Sequence, residues 1–372
     1  MTTVGIPTEI KDNENRVAVT PEGVSELVRA GHRVVVQAGA GEGSRFTDAE
    51  YADAGAVVVS SVEDVFDADL IVKVKEPVPA EWDRFREGQQ LFTYLHLAAD
   101  RSLTDFLLGH KIDAIAYETV QTPDRRLPLL TPMSEVAGRM AVQAAAHCLE
   151  SPAGGSGVLL GGVPGTPAAK VTIIGGGTAG TEAAKIALGM RAIVRVLDIS
   201  PARLAYLSDI SDGRIDLVLP NRSRLATYVA ESDVIIGAVL VPGASTPKLV
   251  TREMIASMRP GSVAVDIAID QGGCFETSRP TTHSDPTYVE EGVIHYCVAN
   301  IPGAVARTST WALTAATLPY LLTVADKGVR GAALADPALR AGLSTVGGRL
   351  VSAPVGQAHG IAVAGVEQAL AG

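Results

Sequence analysis

Apolar residues fall along the chain in short bursts of two kinds. Runs of three to six such as Val4–Ile6, His32–Gln37, Ala56–Val59, Leu70–Val74, Leu91–Leu95 and Ala114–Ala116 have strand length. They lack the strict in–out alternation of a half-exposed sheet, which is the pattern of parallel strands covered on both faces. Between them lie helix-like stretches, with Pro21–Ala30 the clearest. Strand and helix taking turns predicts an α/β fold joined by right-handed crossovers.

From Thr131 to Glu150 the period becomes helical, with Val136, Met140, Ala144 and Cys148 on one face and Ser134 placed to cap the start. The Gly/Pro-rich stretch SPAGGSGVLLGGVPGTPAA then reads as a connection between substructures. Strand-like runs resume after it, and Val234–Ala238, Val263–Ile267 and Ile294–Val298 are the later ones. Beyond Thr308 the pattern is helical again, through Thr310–Ala325 and Pro337–Leu343, with too few strands for a third domain. That segment is expected to return and complete the first domain.

The most informative stretch is KVTIIGGGTAGTEAAKIALGMRAIVRVLD, Lys170 to Asp198. A β-branched run ends at Ile174, and Gly175, Gly177 and Gly180 follow at G-x-G-x-x-G spacing. These glycines allow the tight turn, the approach of backbone to a pyrophosphate, and close helix–strand packing. Thr178 and Ala179 open the helix, whose free N–H groups and dipole favour phosphate. Asp198 closes a second strand at roughly the twenty-residue offset where an acid accepts from the ribose hydroxyls. The same acid repels a 2′-phosphate, which points to NAD over NADP. A second glycine cluster, GAGEGS at Gly39–Ser44, lacks the third glycine and is read as a turn.

A chain of 372 residues exceeds what one core organises, so two domains are expected. The net charge of −10, with aromatics at only 4%, argues against a nucleic-acid surface. No apolar run approaches the roughly 20 residues that span a bilayer, and MTTVGIPTEIKDNENR lacks the apolar core of a secretory signal. Cys148, Cys274 and Cys297 are scattered and odd in number, as expected of reduced buried thiols in a cytoplasmic protein.

A dinucleotide enzyme also needs an anchor for substrate charge and a proton-transfer group. Arg16 in KDNENR, Lys75 in KVKEP and His96 after LFTYL all lie at or just past strand-like runs, the edge where parallel sheets bind ligands. Each is also compatible with an ordinary surface charge or a hydrogen-bonded rim histidine, and Glu76 and Pro77 with a plain turn. Asp270, in DIAIDQGG, follows a strand of the nucleotide half, where Gly272 and Gly273 permit close approach. The segments Val239–Gly243, Ala268–Gly273 and Ala299–Gly303 should line the same edge.

Across nearly the whole chain, the segments VGIPTE, NENRVAVTP, QAGAGEGS, VKEP, YLHLA, AYETVQ, PMSEVAGRMA, GGVPG, GAVLVPG, VDIAIDQGGCFE, RPTTH and YCVANIPGAV resemble the bacterial alanine dehydrogenases. That superfamily also holds the nucleotide-binding alpha part of proton-translocating transhydrogenase, which differs where this chain reads IDQGG. The resemblance implies that Arg16 and Lys75 hold the substrate carboxylate and carbonyl, that His96 is the general acid/base, and that Asp270 orients water and ammonia. It matches Met133 to a position packing near the substrate. It matches Ser134, Asp198, Arg203, Val239, Leu240, Ile267–Asp270 and Asn300 to cofactor contacts, with Asn300 also near substrate. A homo-hexamer is implied as well.

Departures from the family pattern are Ala315 for a common Asn, Ala306 for a frequent Pro, and Pro220 for a Ser of some members. Thr323 and Lys327 replace a Glu/His pair that binds magnesium in some relatives, so no metal is expected. The expected fold is two Rossmann-like doubly wound α/β domains with a cleft between them. Residues 1–130 with 307–372 would be the substrate domain and 131–306 the NAD domain. The expected reaction is NAD-dependent reversible oxidative deamination of L-alanine to pyruvate and ammonium. The alternatives are the same chemistry on another small 2-amino acid, a catalytically silent NAD-binding module, and a soluble transhydrogenase-like subunit.

Overall fold

The structure is a computed structural model and describes residues 1–239 and 246–371. The chain divides into two compact units, one of Met1–Met133 with the segment from Val305 onward, the other Ser134–Ala304. In chain order the first stretch carries β1 (Thr3–Ile6), β2 (Arg33–Gln37), β3 (Val57–Val59), β4 (Leu70–Val72), β5 (Gln90–Thr93) and β6 (Asp113–Ala116). The second unit carries β7 (Lys170–Ile174), β8 (Ile193–Leu197), β9 (Asp216–Val218), β10 (Val234–Gly237), β11 (Val263–Asp266), β12 (Thr287–Glu290) and β13 (Val293–Tyr296). The returning segment adds β14 (Leu343–Val346) and β15 (Arg349–Leu350).

The first sheet runs β15-β14-β6-β5-β4-β1-β2-β3 and the second β12-β13-β11-β10-β7-β8-β9. The six strands β1–β6 are mutually parallel, and so are β7–β11 with β13. Both sheets therefore follow the doubly wound order, with the reversal between β1 and β4 in one and between β7 and β10 in the other. Ligands bind such sheets at that reversal, beyond the carboxyl ends of the strands.

The strands read as apolar runs because they are covered on both faces. Ile71, Leu91 and Ala114 of the first sheet pack with Phe66, Phe85, Leu103 and Phe106. In the second, Val171, Ile173, Ile236 and Val265 pack on one side with Ala183, Ala184 and Ala187 of the fingerprint helix. Ile174, Ile235 and Ala264 pack on the other with Phe275. The small alanines let that helix lie close against its strands.

Two expectations change. The helix around Ser134 spans Thr131–Cys148, so Ser134 sits within its first turn rather than capping it. The Leu127 carbonyl instead accepts from both the Thr131 N–H and hydroxyl, each at 2.9 Å. Pro132 occupies the first turn, where its missing N–H leaves nothing unpaired. The returning segment is not wholly helical, because β14 joins β6 antiparallel and β15 follows it. Its long helix spans Ala306–Ala335, interrupted at Gly328, whose φ is 68°. The cysteines are buried free thiols. Among the described residues, no helix is long and apolar enough to cross a membrane.

Candidate functional site

In the first unit the strand ends at the topological reversal carry the predicted side chains. Arg16 lies in the loop after β1, Lys75 just past β4 and His96 just past β5. Each is held by a carboxylate that the hydrophobic pattern does not reveal.

Arg16 is 2% exposed. Its Nε donates to Glu14 Oε1 at 2.7 Å, its Nη2 to Glu14 Oε2, and its Nη1 faces Met133 Sδ at 3.1 Å. Burial alone would favour losing the charge, but the Glu14 carboxylate more than offsets this and raises the guanidinium pKa. The loop is braced from behind by the GAGEGS segment. Ser44 Oγ donates to the Asn15 carbonyl at 2.8 Å and meets Thr310 Oγ1 at 2.8 Å, while Thr310 Oγ1 accepts from the Val17 N–H at 3.2 Å. That glycine cluster is a turn supporting Arg16.

Behind Lys75 lies a second buried network. Lys73 Nζ bridges Glu81 Oε1 at 2.7 Å and Glu9 Oε2 at 3.2 Å, all with side chains at most 3% exposed. Glu9 Oε1 also accepts from the Val74 N–H at 2.6 Å and the Lys75 N–H at 3.4 Å, fixing the backbone where Lys75 departs. Burial outweighs the Lys73 charge and raises the Glu9 pKa. Among the described residues the half-buried Lys75 ammonium makes no hydrogen bond or ion pair, so it remains available for an anionic group.

His96 has a left-handed backbone, φ 50°, which a non-glycine residue adopts only when its surroundings hold it there. Glu118 supplies the hold, with Oε1 accepting from the His96 N–H at 2.7 Å and Oε2 from the Leu95 N–H at 3.2 Å. Glu76 Oε2 stands 3.4 Å from His96 Nδ1, its other oxygen pairs with Lys11, and Tyr94 stacks on the imidazole at 5.9 Å. Burial opposes the imidazolium, but the Glu76 hydrogen bond and the Glu118 charge outweigh it, so the His96 pKa is raised. Burial would likewise raise Glu76, yet its contact with His96 and the charges of Lys75 and Lys11 take it well below the ordinary carboxylate range. Glu76, beside Lys75 in KEP, is thus more than part of a turn.

The second unit places Gly175 at the end of β7 and starts a helix, Thr178–Gly189, at the next residues. A Cβ at Gly180 would lie 1.8 Å from the Gly175 carbonyl oxygen, which no side chain tolerates. At Gly177 nothing stands within 4 Å of a Cβ, and no side chain caps the helix. The N–H groups of Thr178, Ala179 and Gly180 have no intrahelical partner. An open glycine in front of uncapped N–H groups fits a dinucleotide pyrophosphate.

Asp198 does more than the sequence implied. Its Oδ2 accepts from the Gly176 N–H at 2.7 Å and its Oδ1 from the Ser200 N–H at 2.8 Å, so the acid expected on the ribose also shapes the glycine loop. Arg203 Nε donates to the Gly176 carbonyl and its Nη2 to Thr181 Oγ1 at 2.6 Å, bracing the loop from the other side. Val239 follows β10, with its Cγ2 within 3.1 Å of where a Gly175 Cβ would stand. Leu240 lies outside the described residues. Ile267 and Asp270 belong to the short 3-10 turn Ile267–Gln271 after β11, with Asp270 exposed. Asn300 follows β13 with φ 74°, its carbonyl accepting from His283 Nε2 at 2.9 Å. Ser134 is half-buried near the helix start. Among the described residues no cluster of three His, Cys, Asp or Glu could hold a metal.

Two family models match the chain, "Alanine dehydrogenase/PNT, N-terminal domain" over residues 5–137 and "Alanine dehydrogenase/PNT, C-terminal domain" over residues 141–353. An alanine dehydrogenase of Methanococcus maripaludis is 56% identical over 369 residues, covering 99% of each chain. A solved L-alanine dehydrogenase superposes with TM-score 0.92 at 51% identity, over 96% of this chain and 98% of that one. A transhydrogenase structure from Sinorhizobium meliloti gives TM-score 0.81 at 29% identity, over 94% of this chain and all of that one.

Proposed function

The chain belongs to the alanine dehydrogenase/PNT family, and on that footing we infer that it catalyses the NAD-dependent, reversible oxidative deamination of L-alanine to pyruvate and ammonium. The observation that carries the reading is the set at the first sheet's reversal. Three strand ends there present a buried arginine, an uncommitted lysine and a carboxylate-held histidine.

We assign the roles as follows. Arg16 and Lys75 hold the substrate carboxylate, and Lys75 also reaches the carbonyl of the oxo acid. The division follows from charge. Glu14 already neutralises Arg16, so Arg16 supplies direction, whereas the Lys75 ammonium supplies net positive charge. NAD, when bound, would supply the acceptor for the hydride of Cα once the alanine ammonium has released a proton. His96 takes a proton from the water that attacks the imine carbon and gives it to nitrogen. It then takes the hydroxyl proton as the carbonyl forms and the C–N bond breaks, and passes it to the departing ammonia, which leaves as ammonium. Glu76 on Nδ1 leaves Nε2 as the working nitrogen. Asp270 orients water and ammonia. Gly175–Gly180 receive the pyrophosphate and Asp198 the adenosine ribose, with Ser134, Arg203, Val239, Ile267 and Asn300 around the cofactor and Met133 against the substrate methyl. We further propose a cytoplasmic homo-hexamer, a reading that the family resemblance supports.

The test is reductive amination of a panel of 2-oxo acids with ammonium and NADH. Pyruvate should give the highest kcat/KM. A larger or shorter oxo acid in first place would replace alanine by another small amino acid, and no turnover at all would leave a silent NAD-binding module.

A further inference from the structure

We propose that Asp266 is a positioning residue for this reaction, fixing the turn that carries Asp270; the inference rests on the role given to Asp270 above. Asp266 is the last residue of β11 and is 0% exposed. Among the described residues no lysine, arginine or histidine pairs with it. A buried carboxylate without a counter-ion is costly and persists only where hydrogen-bond donors converge on it.

Such donors come from both stems of one turn. Oδ1 accepts from the Ala268 N–H at 3.1 Å and lies 3.7 Å from the Cys274 thiol. Oδ2 accepts from the Cys274 N–H at 2.8 Å, from the Ser278 hydroxyl at 2.5 Å and from the Phe275 N–H at 3.4 Å. Ala268 precedes Asp270 and the other donors follow it, so a single side chain ties together the two ends of the turn. Within the turn, Gly272 N–H donates to the Ile269 carbonyl at 2.9 Å and Gly273 N–H to the Ala268 carbonyl at 3.0 Å. From outside, Lys248 Nζ donates to the Gly272 carbonyl at 2.5 Å and to the Phe275 carbonyl at 2.9 Å.

The fit leaves no slack. A Cβ at Gly273 would stand 2.6 Å from Asp266 Oδ2, and the φ of +73° there suits glycine. Burial holds the Asp266 pKa above its ordinary value against the pull of the donors. With 0% exposure Asp266 cannot touch substrate or cofactor, so its effect on the reaction must pass through the turn, which carries the exposed Asp270.

The experiment is a double-mutant cycle with Asp266→Asn and Asp270→Asn, measuring kcat and both KM values. The amide keeps the shape of the side chain but turns an NH₂ toward N–H donors. Displacement of a reacting group by about 1 Å is worth up to about 100-fold, so Asp266→Asn should lower kcat about 10–100-fold with the alanine KM little changed. In the Asp270→Asn background the same substitution should change kcat by no more than about twofold, because the group it positions is gone. Equal losses in both backgrounds, or a folded Asp266→Asn enzyme with wild-type kcat, would overturn the proposal. Wild-type kcat in Asp270→Asn alone would instead remove the role of Asp270, which keeps the two failures distinct. If Asp266→Asn does not fold, Ser278→Ala removes the 2.5 Å donor, with a 3.9 Å contact from the Cys297 thiol, and runs through the same cycle. There a smaller loss confined to the Asp270 background is expected, and a loss of equal size in both backgrounds, or none in either, would overturn the proposal.

Discussion

The two sheets share one strand order, yet what stands at their reversals is built from different material. In the first unit the groups we assign to substrate and proton transfer are side chains, and each is secured by a buried or half-buried carboxylate: Glu14 on Arg16, Glu9 behind Lys75, Glu76 and Glu118 on His96. In the second unit the groups we assign to the pyrophosphate are backbone N–H, exposed by glycine, and the loop that presents them is secured by bonds from Asp198 and Arg203. The difference follows from what each must do. Moving a proton requires a group whose pKa and orientation are set, which takes charges at short range. Holding a pyrophosphate requires several N–H groups pointing the same way, which a helix start provides without any charged side chain.

That contrast can be broken by substitution. The largest expected effect is His96→Ala, which should lower kcat about 10²–10⁴-fold, the usual worth of general acid–base catalysis, with NAD affinity nearly unchanged. Turnover at the wild-type rate would remove His96 from the mechanism. Next is Glu14→Ala, which strands a guanidinium whose side chain is 2% exposed. Breaking such a buried pair costs about 3–5 kcal/mol of stability, to be read from denaturant melts. A loss under about 1 kcal/mol, the worth of a surface pair, would show that water reaches Arg16.

On the backbone side, Gly180→Ala forces a Cβ onto the Gly175 carbonyl. About 1–3 kcal/mol of stability should go, as in other overpacked sites, together with NAD affinity measured by fluorescence titration. Asp198→Asn should shrink the preference for NAD over NADP about tenfold, since hydrogen bonds to a charged group are worth about 1.5–3 kcal/mol. An unmodified enzyme that uses NADP as well as NAD would contradict the role given to this acid. The smallest effect is on pH. Deamination needs neutral His96, so kcat/KM for alanine should rise with pH through an ionisation above the ordinary histidine value. Reductive amination needs the protonated form and should fall through the same ionisation. Glu76→Gln removes the carboxylate that raises this pKa, and the acid limb should move to lower pH. A limb that stays put would mean that Glu76 does not bear on the histidine.

Some of this was legible in the residues. The glycine spacing, the acid at the end of β8 and the apolar runs determined a doubly wound nucleotide half, because those signals are local and each glycine answers a backbone need a few residues away. The positions of Arg16, Lys75 and His96 after strand-like runs were legible for the same reason. Ser134 as a cap was not, because the helix start was decided by Leu127 and Pro132. Nor were β14, which pairs with β6 more than 200 residues earlier, and the two-residue β15 that pairs back on it. Glu9, Glu14 and Glu118 carried no signal and Glu76 was compatible with a plain turn, since nothing in a carboxylate's neighbours along the chain says that it will be buried against a cation. Asp266 lay inside the run Val263–Ile267 without being singled out, and only the returning donors of Cys274 and Ser278 made it the anchor of a turn. The sequence by itself thus determined most of the strands and helices, the glycine loop and the candidate groups. The tertiary structure decided which charges were buried together, because burial and short-range pairing depend on segments that meet only after the sheets have formed.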